Sequence, residues 1–125
     1  MAPVAEPAPA SQLKSCAYDS APVTEMKGQK LKKCSMVMGE LASGKTMKIC
    51  CDPGWSWSGC IKPIVGGELC QATHMGYVLK GSMTCVLADG TKMDLKAGES
   101  YSIPAGHDAW TEEGCEVVEF AGAWK

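Results

Sequence analysis

The hydrophobic and polar positions of residues 74–110 alternate with the period of a strand, and turn residues interrupt them at short intervals. Residues 77–80 form an apolar run that Gly81 stops. Residues 82–88 place Met83, Cys85 and Leu87 on one face and Ser82, Thr84, Val86 and Ala88 on the other. Asp89-Gly90 predicts a tight two-residue hairpin, because both residue types tolerate positive φ. Residues 91–95 return with Met93 and Leu95 on one face, and residues 100–103 form a short strand before the turn Pro104-Ala105-Gly106. The pattern is that of an antiparallel all-β unit with one face in water.

Outside this stretch, residues 29–41 read as a first strand with a basic, solvent-facing start, and Ala42-Ser43-Gly44 as a turn. Residues 46–51 return as a second strand, stopped by Asp52-Pro53-Gly54. Trp55-Ser56-Trp57-Ser58, if extended, puts both indoles on one face, as core or as the wall of a ligand pocket. Residues 60–73 are irregular and predict a loop near the mouth of a barrel, where Lys62 and Cys70 are candidates for function. A last strand covers residues 115–120 with Val118 and Phe120 inward and Glu119 outward, and Gly122 and Trp124 close it. Residues 1–12 are rich in Ala and Pro and predict loose chain, and residues 13–28 an irregular arm packed across the sheet or on a partner subunit. The expected organisation is an arm over residues 1–28 and a barrel over residues 29–125.

Composition narrows the classes. A chain of 125 residues suits one domain. A net charge of −2 with a pI near 5.6 argues against nucleic acid or an acidic membrane surface as a partner. No run approaches the roughly 18 apolar residues of a membrane span, and the N-terminus lacks the basic and apolar regions of a secretory signal, so a cytoplasmic location is expected. Eight cysteines without a C-x-x-C pair argue against a zinc knuckle or a thioredoxin-like motif and read as reduced thiols, several of them in the core. Cys50 and Cys51 are neighbours on a strand, so only one faces inward.

The glycines and prolines of this stretch resemble the cupin family. The family's second motif is glycine, five residues, Pro-x-Gly, two residues and histidine; Gly98, Pro104 and Gly106 match it, Ala109 stands at the histidine position and His107 comes two residues early. In the first motif, counting back from Gly81 puts His74 where the glutamate would be, and counting on from Gly54 puts Cys60 and Lys62 at the two histidines. The resemblance covers residues 50–122. The string GWSWS, KPI, HMGYVLKG, DGT and PAGHDAW is similar to a subgroup of small single-domain cupins. It implies a double-sheet jelly-roll barrel, and a homodimer as a common state of the family.

The family's metal sites use three histidines and a glutamate on a divalent ion such as zinc, iron or manganese. Lys62 and Ala109 cannot take two of those places, so the four-ligand site cannot form as the motif describes it. Two readings follow. In the first, the barrel binds a small molecule without a metal, in a cavity lined by Trp55, Trp57, His74, Tyr77 and Met83 with Lys62 at its mouth. In the second, a metal-dependent oxygenase or isomerase uses a rearranged site drawn from Cys60, Cys70, His74 and His107. A weaker third reading is a redox-responsive protein built on the cysteines. No residue is assigned a catalytic role.

Overall fold

The computed structural model describes residues 6–121, so the expectation for Gly122 and Trp124 lies outside the described residues. A two-stranded hairpin, β1 (Glu25–Met26) and β2 (Gln29–Lys30), precedes the main body. The main strands are β3 (Cys34–Leu41), β4 (Gly44–Cys51), β5 (His74–Leu87), β6 (Lys92–Lys96), β7 (Ser100–Ile103), β8 (His107–Trp110) and β9 (Cys115–Ala121). Two one-turn helices, α1 (Trp57–Cys60) and α2 (Lys62–Val65), lie between β4 and β5. Hydrogen bonding runs β3-β4-β9-β5-β6, with β7 and β8 also pairing with β5, all antiparallel. This is the jelly-roll barrel expected of the cupin fold. Among the described residues no helix is long and apolar enough to cross a membrane.

The spine is β5. Its first part pairs with β7 (His74 opposite Ile103) and β9, and its second part with β6 and β8 (Leu87 opposite His107). Extended, its 14 residues would reach about 43 Å. Yet Ile103 and His107, opposite its two ends, are four residues apart and at most about 14 Å from each other. The strand must therefore curl back on itself. Register shifts beside Gly76 and between Val78 and Lys80 supply part of the bend, and Gly81, at φ +72°, supplies more. Sequence reading placed a stop at Gly81; the chain instead bends there and continues.

Gly81 also lies against the backbone of β9's entry turn, where a Cβ would fall on the Gly114 carbonyl oxygen. Only glycine satisfies both the backbone angle and the approach.

Other local readings also differ from the structure, beginning with residues 60–73, expected as an irregular loop, which contain α2. The strand expected over residues 29–41 breaks at Lys33, whose φ of +58° divides β2 from β3. The β5–β6 connection is longer than a two-residue turn: pairing ends at Val86–Lys92, Leu87 N–H donates to Thr91 O at 2.8 Å, and only Gly90 has positive φ. Asp89 instead accepts from the Thr91 N–H at 2.9 Å. The Trp55–Ser58 segment is not extended throughout, because Ser56 caps α1, its hydroxyl accepting from Gly59 N–H at 2.9 Å. Both indoles are buried all the same.

The arm before β3 packs across the sheet. Tyr18 shares a 2.5 Å hydrogen bond with Thr46, whose hydroxyl donates to Glu119 O at 2.9 Å, and Cys16 fills the space over Gly39. Val23 bridges to Met36 at the outer edge of β3. All eight cysteines are free thiols, and of the adjacent pair Cys51 is buried while Cys50 is half-buried.

Gly81→Ala is expected to destabilise the fold by about 3–5 kcal/mol, the range of backbone strain combined with overpacking. Gly90→Ala, with positive φ but open space around its Cα, should cost about 1–2 kcal/mol. Urea midpoints of the two variants measure the difference, and equal losses would show that the contact with Gly114 is unimportant.

Candidate metal centre

Cys70, His74 and His107 offer three ligand atoms that all lie within 4.8 Å of one another, and all three residues are buried. Each comes from a different element. Cys70 lies on the segment after α2, which Gly66 and Gly67 turn through positive φ at the helix end. His74 opens β5 and His107 opens β8. A backbone bridge ties Cys70 to His107: Cys70 N–H donates to His107 O at 2.8 Å, and Gly106 N–H donates to Cys70 O at 2.7 Å. The two imidazoles meet edge to face with centroids 5.1 Å apart.

Each ring has one nitrogen already committed. His107 Nδ1 lies 2.7 Å from Pro104 O, and a carbonyl only accepts, so Nδ1 donates to it and Nε2 is the nitrogen left for the site. His74 Nδ1 lies 3.1 Å from Glu119 Oε1 and 2.9 Å from Oε2, with its hydrogen directed to Oε1. His74 Nε2 faces Cys70 Sγ at 3.7 Å. Hydrogen-bonding one imidazole nitrogen to an oxygen acceptor fixes the tautomer and orients the other nitrogen, the arrangement found around protein-bound metals.

The charges agree with the geometry. Burial alone would raise the Cys70 thiol, but hydrogen bonds from His107 and His74 outweigh it and bring the pKa to about 6. Burial disfavours protonated His74, but Cys70 and Glu119 more than compensate and raise its pKa to about 9. Cys85, buried without such partners, is pushed up to about 11. Burial and the Glu119 carboxylate beside it raise the Tyr101 hydroxyl.

The centre opens on an inner cavity lined by Trp55, Trp57, Met83, Tyr101, Ile103 and Ala109, among others. The space open to the centre of a water-sized sphere is about 30 Å³, enough for one or two waters or a comparably small ligand. Trp57, 1% exposed, lines this cavity with an indole N–H that makes no hydrogen bond.

Of the residues singled out from sequence, His74, Trp55, Trp57 and Met83 share this cavity wall, and His74, Cys70 and His107 form the donor group. Cys60 is buried in α1 outside that group. Lys62, in α2, is 3.5 Å from Glu68 and does not line the cavity. Tyr77 is 40% exposed on the outer face of β5. Sequence reading assigned no role to Glu119 and turned it outward, with Val118 and Phe120 inward. The structure reverses the phase: Val117 and Glu119 point inward, Val118 is half-buried and Phe120 is 52% exposed. The usable signal was Cys115, since residues 115, 117 and 119 share one face of a strand.

No family model and no curated protein matches the chain. Solved structures do. A protein of unknown function from Acidithiobacillus ferrooxidans aligns with a TM-score of 0.58 at 18% identity, over 91% of this chain and 98% of its own. The polyketide cyclase RemF from Streptomyces resistomycificus aligns with a TM-score of 0.58 at 21% identity, over 86% and 78%. An RmlC-like cupin from Shewanella frigidimarina aligns with a TM-score of 0.53 at 18% identity, over 87% and 90%. At these identities the likeness establishes the architecture: the chain has the cupin jelly-roll fold.

The shifted pKa values have opposite consequences for stability. His74, raised, stabilises the fold fully below about pH 6.5, and that contribution is lost as pH rises through about 9. Cys70, lowered, contributes fully above its ordinary value near 8.5, and its contribution is lost as pH falls through about 6. In metal-free protein, thiolate ultraviolet absorbance should therefore show one step near pH 6 that is absent in Cys70→Ala. Replacing His107 or His74 by Ala should move that step upward; a step that stays in place would show that the imidazoles do not stabilise the thiolate.

Proposed function

We propose that this protein is a metal-dependent cupin-fold barrel, in which Cys70, His74 and His107 hold one divalent transition metal at the wall of a small interior cavity. The observation that carries the reading is the convergence of three buried donors whose other polar atoms are already spoken for. A thiolate with two imidazoles suits zinc or ferrous iron, and three protein ligands leave a position open to a small molecule. When bound, the metal would supply Lewis-acid polarisation or activation of a bound small molecule. Glu119 would orient His74 and make it a stronger donor, and the Trp and Ile side chains would keep bulk water out. His74 keeps the place that the family's motif gives its glutamate, while Cys70, ten positions after Cys60, and His107, two before Ala109, would serve in place of the motif's histidines.

A second reading rests on the Cys70–His74–Glu119 chain itself. A thiolate beside an imidazolium that a carboxylate orients is the arrangement of a nucleophilic cysteine, and needs no metal. In that reading the cavity holds the electrophilic substrate.

Elemental analysis after reconstitution with zinc, ferrous iron or cobalt separates the two. About one metal per chain is expected, with a thiolate-to-cobalt absorption band, and Cys70→Ser, His74→Ala and His107→Ala should each abolish it. Cys60→Ser should leave it intact, and Glu119→Gln should weaken affinity about 10- to 100-fold. Failure to retain any of the ions would leave the nucleophile reading, whose signature is selective alkylation of Cys70 in the metal-free protein.

The outer face of β5 and β9 exposes Met75, Tyr77, Leu79 and Phe120 together. We propose that a second copy covers this face, since clustered exposed apolar side chains mark interaction surfaces. Light scattering should give a dimer mass, and Tyr77→Glu combined with Phe120→Glu should give a monomer; a monomeric wild-type chain would overturn the assignment.

A further inference from the structure

A second chamber also reaches the His74–Glu119 pair. It lies where β3, β4 and the arm meet, and is lined by Val23, Glu25, Met26, Met36, Met38, Met47 and Ile49. Its free space is about 160 Å³, five times that of the inner cavity. The strand register explains the lining. Met38 stands opposite Met47 and Met36 opposite Ile49, so their side chains share the inner face. Val23, bonded to Met36 through N–H to O contacts of 2.6 and 3.1 Å, brings Met26 of β1 over the opening. Half of the chain's eight methionines are gathered here, which a general core-filling role would not produce.

We propose that this chamber binds a small neutral phenol, with the ring among the four methionines and the hydroxyl donating to Glu119. Size, lining and polarity each point to that class. An apolar protein cavity of about 150 Å³ accommodates benzene. Thioether sulfurs make favourable contacts with aromatic rings and adapt to their outline. Glu119 is 4% exposed; its Oε1 takes the Nδ1 hydrogen of His74, and its Oε2, 2.9 Å from the same nitrogen and with the Tyr101 hydroxyl beside the carboxylate, keeps lone pairs for a further donor. A buried carboxylate oxygen in that state is a site for a donor. Among the described residues the charged groups lining the chamber are Glu25, Glu119 and His74, with no Lys or Arg, so an aromatic carboxylate is repelled. An ammonium ion would lose its hydration among thioethers, which a neutral hydroxyl does not suffer to the same degree.

The inference goes beyond the metal reading and does not depend on it, so its test uses chelator-treated full-length protein. Methionine methyl groups are labelled with carbon-13, and phenol, toluene and benzoate are titrated in turn while the methyl signals are followed by NMR. Saturable shifts are expected with phenol at Met26, Met36, Met38 and Met47, while Met75, Met83 and Met93 stay unmoved. Toluene and benzoate should bind at least about tenfold more weakly, and Glu119→Gln should reduce phenol affinity by a similar factor. Met38→Trp, at a position 41% exposed and so safe for folding, should fill the chamber and abolish the shifts. Equal binding of toluene and phenol, shifts centred on Met83 in the inner cavity, or no saturation would each overturn the proposal. Metal retention measured on the same preparation reports on the metal centre separately.

Discussion

A single bent strand is the constraint on which everything else rests. β5 belongs to both halves of the barrel, and its two ends must flank the short turn between β7 and β8. That closure needs a residue with left-handed backbone and no side chain, and Gly81 against the Gly114 carbonyl provides it. Because the strand curls, His74 at its start comes close to His107, the partner of its last residue. Two residues 33 positions apart thus share a site through topology, with no sequence motif joining them.

The third donor depends on a different device. Cys70 belongs to no regular element, and a loop thiol without fixed surroundings would be an ordinary one. Here the segment is stitched to β8 by main-chain hydrogen bonds on both sides of Cys70, so the sulfur is held fully buried against two imidazoles. Burial would normally suppress its ionisation, and the two ring contacts reverse that. The same loop brings a third donor atom to the two imidazoles, where Ala109 has none to give.

The barrel was legible because strand alternation and glycine-proline turns are local signals. Gly81, Gly98, Pro104 and Gly106 carry backbone requirements that can be read one residue at a time. The donor group was legible only as a set of residue types. Cys60, Cys70, His74 and His107 stood together as candidates, and nothing in the spacing separates Cys60, which packs inside α1, from Cys70. Glu119 was hidden by its strand: residues 117–120 alternate ambiguously, because Val117 and Val118 are both apolar, and a carboxylate next to Phe120 looks like the wet position. Its inward turn is stabilised by His74, a partner 45 residues away that alternation cannot see. The helical turn after Ser56 was missed for the opposite reason, since a four-residue helix is set by one capping hydroxyl rather than by any periodicity.

His74 and Glu119 form a shared wall: both line the inner cavity and both line the methionine-rich chamber. Electron density drawn from the carboxylate on one side is withdrawn from the imidazole on the other, since a carboxylate that accepts a second hydrogen bond holds the Nδ1 hydrogen less strongly. If both chambers take a ligand as proposed, their occupancies are linked through this pair, and the linkage is reciprocal: whatever one occupant does to the affinity of the other, it receives back in equal measure. The wall between the two cavities is then no thicker than one imidazole and the carboxylate bonded to it.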